Sequence, residues 1–467
     1  MGIVGFVALT LLIYSGMHIS TSLLVVSFVG TAWIRGDWSL AGKLLAQTAT
    51  DAVTEYEFGT APLFVLMGFM VMAAGVGRDC YVVAERLFGR FTGGIGQATV
   101  VGNAVFSAVT GVSIAAVVMM FTRMAVPEML KRGYPPRLAV GVVAGSAMLG
   151  MLIPPSVLMI IYAVITETSI GDIYNAGIIP GVVLSLAFMI TIYVVAKRTP
   201  SMQAALLLAR QAADSAQNGS KANSNKLNTS EPNSGGLSGG KLGSTAMGGS
   251  GLLRVMLPIA ALIALVLGGM YAGLFTATEA GAVGAAGSIV IALMRRALTP
   301  KVFWQILIDT GYVTSSIVLI IAAAAMFTRF LAVSGLPSYL SQWIALHQFT
   351  LIQVMMVYVV IVLLLGTALD SVSTVLIAVP IFAPVFKDLG GNLVWVGIIT
   401  MIAVEVGLIT PPLGMSPFIV KSTLDADGLG QQISLKDIYI GSLPFAAAAL
   451  VVIALLIAFP KISLLLT

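Results

Sequence analysis

The sequence predicts an all-α, polytopic membrane protein, and three observations support this prediction. Of the 467 residues, 58% are hydrophobic and 9% are charged, whereas about 25% are charged in an ordinary soluble domain. The mean hydropathy is +1.02, and apolar stretches of about twenty residues, the length that crosses ~30 Å of hydrocarbon, recur along the chain. Two of these stretches carry the same Gly-x-x-x-Pro-Pro pattern, at residues 150–155 and 407–412.

The charge and cysteine content exclude other classes. The net charge is +5, and the segment from Lys197 to Arg254 holds seven basic and two acidic residues, which account for the whole excess. Basic residues concentrated in one loop are typical of the cytoplasmic side of a membrane protein and not of a nucleic-acid-binding surface. The single cysteine, Cys80, excludes internal disulfides and cysteine-rich transition-metal sites.

Residues 199–251 are rich in Ser, Gly and Asn and predict a flexible cytoplasmic linker. Three landmarks recur in the same order on its two sides. They are Gly102 with Gly366 (264 residues apart), Gly150 with Gly407 (257 residues apart), and Ser169 with Ser434 (265 residues apart). The chain therefore divides into a first repeat, residues 1–198, and a second repeat, residues 252–467.

The third landmark has a structural interpretation. Ser169 and Ser434 each precede an aspartate by three residues, at Asp172 and Asp437. This spacing is typical of a helix N-terminus, where the serine and the acid bind free backbone N–H groups. We predict that both aspartates cap helices.

Basic residues also set the topology. Arg86 and Arg123 flank an uncharged segment that is too long for one crossing, so we predict a re-entrant hairpin at about 93–123, followed by a broken helix at about 138–165. In the second repeat we predict a hairpin at about 351–386, which enters from the opposite side, and a broken helix at about 394–424. The repeats are thus inverted, with roughly ten crossings and two hairpins.

The proline pairs at the helix breaks indicate a binding site. Each proline removes an N–H and frees a preceding carbonyl oxygen, and such interruptions occur within a membrane only where they line a polar cavity. Free carbonyls suit a hard cation such as Na⁺, and half-helix N-termini suit an anionic substrate group. A simple proline kink is the alternative, and it explains one break more easily than two.

The predicted hairpin tips supply hydroxyl groups that could join these sites or could serve local helix contacts. They are Ser107, Thr110 and Ser113 in the first repeat and Ser371, Ser373 and Thr374 in the second. Asp370 lies at the second tip in an apolar run, which indicates a cation ligand or a helix cap. Glu405 and Glu279 are weaker candidates, open between function and interfacial packing. No nucleophile pattern accompanies His18 or His347, so no enzyme is predicted.

At these positions the sequence resembles the large membrane subunit, of DctM type, of tripartite ATP-independent periplasmic (TRAP) transporters. The resemblance covers the chain outside the linker. Its most specific segments are FSAVTGVS (106–113), KRGY (131–134), LIPPS (152–156), SIGDIY (169–174), AGIIP (176–180), GLFTATEA (273–280), LD (369–370) and GLITPP (407–412).

The resemblance implies an elevator-type secondary transporter of the ion-transporter superfamily in a bacterial or archaeal inner membrane. The predicted topology places the linker in the cytoplasm and both termini in the periplasm. It implies a small four-helix membrane subunit, a periplasmic substrate-binding protein, an organic-acid substrate and Na⁺ as coupling ion, without another cofactor. Carried over by motif, the Na⁺ ligands are Ser107, Thr110, Gly111, Gly150, Pro154 and Pro155, and then Asp370, Ser371, Gly407, Thr410, Pro411 and Pro412. Ser113, Ser373 and Thr374 are candidate substrate contacts.

The sequence departs from the family pattern at Thr110, where Ser is usual, at Ala277, where Pro is usual, and in the small residues before Leu369. The last departure makes a substrate analogy unsafe. The first functional hypothesis is therefore a sodium-coupled, binding-protein-dependent importer of a carboxylate. A stand-alone sodium-coupled carboxylate symporter of related fold is the second, and its usual Ser-Asn-Thr tips are not found here. A non-transporting membrane scaffold is the third.

Overall fold

A computed structural model describes residues 1–54, 59–89, 91–111, 114–199, 249–430 and 433–467. Ser113 and residues 200–248, which include nearly all of the predicted linker, lie outside the described residues. Before the linker, the helices are α1 (Gly2–Tyr14), α2 (Ile19–Arg35), α3 (Trp38–Thr54), α4 (Thr60–Ala73), α5 (Val76–Phe88), α6 (Gly94–Thr110), α7 (Ile114–Lys131), α8 (Pro136–Ser146), α9 (Leu149–Leu152), α10 (Val157–Thr166) and α11 (Ile170–Arg198).

The second half is also helical throughout its described part. Its helices are α12 (Gly249–Ile263), which continues through a π-helical turn (Ala264–Gly268), α13 (Gly269–Tyr271), α14 (Ala277–Met294), α15 (Pro300–Ser334), α16 (Leu336–Leu346), α17 (Leu351–Ala368), α18 (Ser371–Asp388), α19 (Leu393–Ile409), α20 (Met415–Ala426), α21 (Leu435–Ala458) and α22 (Lys461–Leu464).

Six described helices are long and apolar enough to cross a membrane, and the number rises to eight if each of two bent pairs counts as one span. Shorter apolar helices, such as α1 with 13 residues and α2 and α19 with 17 each, are not included in this number. The roughly ten crossings therefore stay a prediction. One bent pair, α4 with α5, meets at 65° and has no proline signal in the sequence.

The helix caps match the sequence prediction in part, because Asp437 caps its helix whereas the Asp172 carboxylate accepts no hydrogen bond among the described residues. The Ser169 hydroxyl accepts from the backbone N–H of Asp172 at the start of α11. Ser434 and Asp437 form a complete capping box at the start of α21. Glu279 forms an equivalent box with Thr276 at the start of α14, so its role in this structure is helix capping.

The two halves meet where α8 crosses α21. Gly141 and Gly441 face each other so closely that a Cβ at Gly141 would lie 2.0 Å from the Gly441 carbonyl oxygen. At the start of the same helices, the Arg137 guanidinium donates to the Asp437 carboxylate at 2.6 Å. Glycine therefore permits a backbone-to-backbone contact at this crossing that any other residue would prevent.

A second group of helices packs around this body. Helix α4 packs against α14 and α15, and α15 packs against α2 and α3. Helix α5, which follows the bend at Gly75 (φ 73°), packs mainly on α6, which α4 also contacts. Arg295, at the end of α14, forms an ion pair with Asp79 of α5 and donates to the Ala74 carbonyl oxygen. The bent pair α4–α5 thus connects the outer helices to the helices that carry the candidate site.

Candidate functional site

The first tip lies between α6 and α7. Helix α6 ends at Gly111, which adopts the left-handed conformation (φ 56°) and donates its N–H to the Ser107 carbonyl oxygen. A Cβ at Gly111 would lie 2.9 Å from the Pro155 carbonyl oxygen. Glycine is required here both for the conformation and for the close approach. The structure therefore places the first tip against the first helix break.

Ser107 faces this break from inside α6. Its side chain is 1% exposed, and its hydroxyl has no hydrogen-bond partner among the described residues. A Cβ at Gly150 would lie 3.4 Å from the Ser107 hydroxyl oxygen, so Gly150 and Ser107 are neighbours. The neighbouring Thr110 hydroxyl is used locally, because it donates to the Phe106 carbonyl oxygen at 2.9 Å.

The first break connects α9 to α10, with a bend of 44° between the two arms. Pro154 and Pro155 are buried and joined by a cis peptide bond. Ser156, the residue before α10, has a buried hydroxyl without a partner in the described part of the chain. Buried polar atoms are nearly always hydrogen-bonded, so the two orphan hydroxyls of Ser107 and Ser156 mark this break as a place that can bind a ligand.

The second tip is organised by Asp370. Its carboxylate accepts the backbone N–H groups of Val372 at 3.1 Å and Ser373 at 3.3 Å and also accepts the Ser373 hydroxyl. The Thr374 hydroxyl donates to the Asp370 carbonyl oxygen at 3.0 Å. Asp370 is thus the N-cap of α18, one of the two roles predicted for it, and the Ser373 and Thr374 protons are committed to that cap.

The second break follows α19. Gly407 lies against α17, where a Cβ at Gly407 would be 2.8 Å from the Gly366 Cα atom. Beyond it, the Thr410 hydroxyl donates to the Val406 carbonyl oxygen at 2.6 Å. Pro411 and Pro412 are joined by a cis peptide bond and, unlike the first proline pair, they are exposed.

Glu405 lies one turn before the second break. It is 1% exposed, and the Ser371 hydroxyl is 3.4 Å from its Oε1 atom. The structure therefore brings Glu405 to the second tip, where the sequence gave it no more weight than Glu279. Its apolar surroundings were the signal that could have separated the two.

A second polar pair near the first tip was missed in the sequence. Asn103, one turn before Ser107, donates from Nδ2 to the Ser146 hydroxyl at 2.5 Å. Its Oδ1 atom is buried and has no partner within the described residues. The i, i+4 spacing of Asn103 and Ser107 on one helix was the available signal.

The two breaks also come together in space. Helix α9, directly before the first break, contacts α19, which precedes the second, and α10 contacts α18. Each break therefore has the tip of its own half on one side and helices of the other half close by. A helical, multi-pass membrane chain with this arrangement of interrupted helices belongs to the class of membrane transport proteins.

Comparison with known proteins gives the family. A family model described as "Tripartite ATP-independent periplasmic transporter, DctM component" matches residues 6–462. The C4-dicarboxylate TRAP transporter large permease protein DctM of Pseudomonas aeruginosa is 31% identical over 91% of this chain and 88% of its own length. The sialic acid TRAP transporter large permease protein SiaM of Vibrio cholerae is 26% identical over 97% and 96%. The chain belongs to the DctM family of TRAP transporter large permeases.

A solved structure supports the fold. The Alcanivorax borkumensis YdaH transporter superposes with a TM-score of 0.55 at 16% sequence identity, over 89% of this chain and 88% of that one. At this identity the match shows a shared fold alone. The relatives named here are transport permeases, and the chain is a multi-pass membrane protein of their family.

Proposed function

We propose that this chain is the membrane subunit of a sodium-coupled, binding-protein-dependent importer of an organic acid. The single observation that carries the proposal is the pairing of a buried serine hydroxyl with a helix break in each half, Ser107 beside Gly150 and Ser371 beside Glu405. Relatives named as transporters of C4-dicarboxylates, sialic acid and 2,3-diketo-L-gulonate support the substrate class, because all three are organic acids.

The first half fits a sodium ion by the chemistry of its oxygens. Na⁺ is a hard cation that takes hydroxyl and carbonyl oxygens, and the orphan Ser107 hydroxyl and the Pro155 carbonyl both lie where Gly111 meets the break. Thr110, Gly150 and Pro154 complete the proposed first ion site. The second is formed by Asp370, Ser371, Gly407, Thr410, Pro411 and Pro412.

The anionic substrate is proposed to bind between the two tips. Helix α10 begins directly after the first break, at Val157, and a helix N-terminus favours a negative group. The N-terminus of α18 is already capped by the Asp370 carboxylate. Ser373 and Thr374 lie in the first turn of α18 and can still accept or share hydrogen bonds through their free lone pairs. Ser113 is proposed as a substrate contact from the sequence alone.

Transport is proposed to occur by an elevator movement, in which the helices around the two breaks move relative to the outer helices. The different packing partners of α4 and α5 on either side of Gly75 support a division into two bodies. A small four-helix membrane subunit and a periplasmic binding protein are the proposed partners, in a bacterial or archaeal inner membrane.

Reconstitution tests the proposal. The full chain is placed in proteoliposomes with and without candidate partner subunits, and uptake of labelled organic acids is followed under an inward Na⁺ gradient. We expect uptake that requires both the gradient and the binding protein. Uptake without a binding protein would support the stand-alone symporter instead, and uptake that ignores Na⁺ would refute sodium coupling.

A further inference from the structure

The two candidate ion sites differ in charge, and the difference comes from the repeat itself. The 264-residue offset that pairs Gly102 with Gly366 also pairs Ser107 with Ser371. The 257-residue offset that pairs Gly150 with Gly407 pairs Met148 with Glu405. The two serines correspond in sequence, although Ser107 lies inside α6 and Ser371 is the first residue of α18. The first half has an apolar side chain at the sequence position where the second half has a carboxylate.

Glu405 has little around it that compensates a negative charge. Its Oε1 atom is 3.4 Å from the Ser371 hydroxyl, which is longer than the roughly 2.5–3.0 Å of a normal O–H···O bond. Within the described part of the chain no basic side chain forms an ion pair with it. Its position near the C-terminal end of α19, where backbone carbonyls point out of the helix, adds negative potential.

The charged groups on neighbouring helices are engaged elsewhere or distant along their helices. Asp370 is neutralised in part by the N-terminus of α18, which it caps. Lys421 of α20 donates to Asp425 and to the Gly430 carbonyl oxygen, and Lys387 lies in the last turn of α18, far from Ser371. Helices α9 and α10 contribute no basic residue.

The separation of the two oxygens is that of a long hydrogen bond, and it is also one that a shared cation can bridge. Na⁺ and Ca²⁺ have nearly equal radii, and hard-cation sites place their oxygens at about 2.3–2.6 Å from the ion. Two ligands at right angles and about 2.4 Å from one ion are then roughly 3.4 Å apart. A buried carboxylate without a positive partner is costly, whereas one that ligates a cation is stabilised.

We propose that Glu405 is an anionic ligand for the cation at the second tip, together with Ser371, and that the first site, around Ser107 and Gly150, is made of neutral oxygens. The inference rests on the proposed sodium coupling and extends it. It predicts two unequal ion sites, of which the second has the higher affinity because its ligand carries a full charge.

Binding of ²²Na⁺ to the purified full chain tests this without transport. We expect Glu405→Gln, which keeps the shape and removes the charge, to weaken Na⁺ affinity at one class of sites by at least about tenfold, the size of losing one charged ligand. Glu279→Gln is the matched control, since Gln also completes the capping box at that position. It should bind Na⁺ as the unchanged protein does.

The possible results distinguish the role of Glu405 from the proposed sodium coupling itself. Unchanged Na⁺ affinity and stoichiometry in Glu405→Gln would overturn the role of Glu405 and leave the proposed function intact. Absence of Na⁺ binding in the unchanged protein would overturn both. If Glu405→Gln does not fold, as judged by its thermal unfolding midpoint, Ser371→Ala is used instead, because it removes the other proposed ligand of the same ion. The proposal then requires a weaker site in Ser371→Ala, and unaltered binding contradicts it.

Discussion

The first and second tips differ both in backbone plan and in charge. Ser107 lies inside α6, before the first tip, whereas Ser371 is the first residue of α18, after the second tip. In the first half, Ser107 is buried beside a proline pair that is also buried, and no acidic residue takes part. In the second, the proline pair is exposed and the positions that correspond to Phe106 and Met148 are Asp370 and Glu405. The repeat thus preserves the glycines and prolines that shape the helix breaks, while the charge at each break is set independently.

The largest expected loss of stability is that of Gly407→Ala at the second break, compared with Gly150→Ala at the first. Gly407→Ala should lower the free energy of unfolding by about 3 kcal/mol, because the new Cβ would meet α17 backbone atoms that cannot move aside. Gly150→Ala is the matched change in the first half, where the nearest atom is the Ser107 hydroxyl oxygen at 3.4 Å, an ordinary contact. Thermal unfolding midpoints in detergent measure both, and equal shifts would contradict the different packing of the breaks.

A smaller effect is expected at the first tip. Gly111→Ala should cost about 2 kcal/mol, because a left-handed residue with a Cβ is strained by about 1 kcal/mol and the contact with Pro155 adds to this. Gly390→Ala provides the control, since Gly390 has φ 74° and no atom within 4 Å of its built Cβ. A Gly390→Ala loss as large as that of Gly111→Ala would mean that the contact between tip and break contributes nothing.

Two substitutions of Asp370 separate its role as a helix cap from its proposed role as an ion ligand. Asp370→Ala should cost about 1 kcal/mol, the usual value of an N-cap, and should also weaken the Na⁺ dependence of uptake. Asp370→Asn keeps the capping oxygen and removes the charge. Near-normal stability with weakened Na⁺ activation in Asp370→Asn would assign the charge to the ion. Normal Na⁺ activation in both variants would restrict Asp370 to capping.

The smallest stability effect is expected for Ser107→Ala. The Ser107 hydroxyl has no partner among the described residues. Its removal should therefore change the free energy of unfolding by no more than about 0.5 kcal/mol. Na⁺ activation of uptake should nevertheless fall, since the hydroxyl is a proposed ligand. A marked loss of stability would indicate that Ser107 has a structural role.

The sequence predicted the helical membrane fold and the helix caps made by Ser169, Ser434 and Asp437 because those features depend on local patterns. Ser169 with Asp172 and Ser434 with Asp437 occur within one helical turn, and composition alone requires the bilayer. The contacts within the candidate site were harder to predict from the sequence. The Ser371–Glu405 pair joins residues 34 apart and the Asn103–Ser146 pair residues 43 apart, so neither could be found before the helices were placed. The α4–α5 bend was missed because a glycine, Gly75, terminates the first arm where no proline marks it.

The crossing of α8 and α21 limits how the protein can move. Where two backbones touch at Gly141 and Gly441 without side chains between them, neither helix can slide along the other without a collision of main-chain atoms. The two halves are therefore fixed to one another at this crossing. In the proposed elevator movement, α8 and α21 would therefore move together.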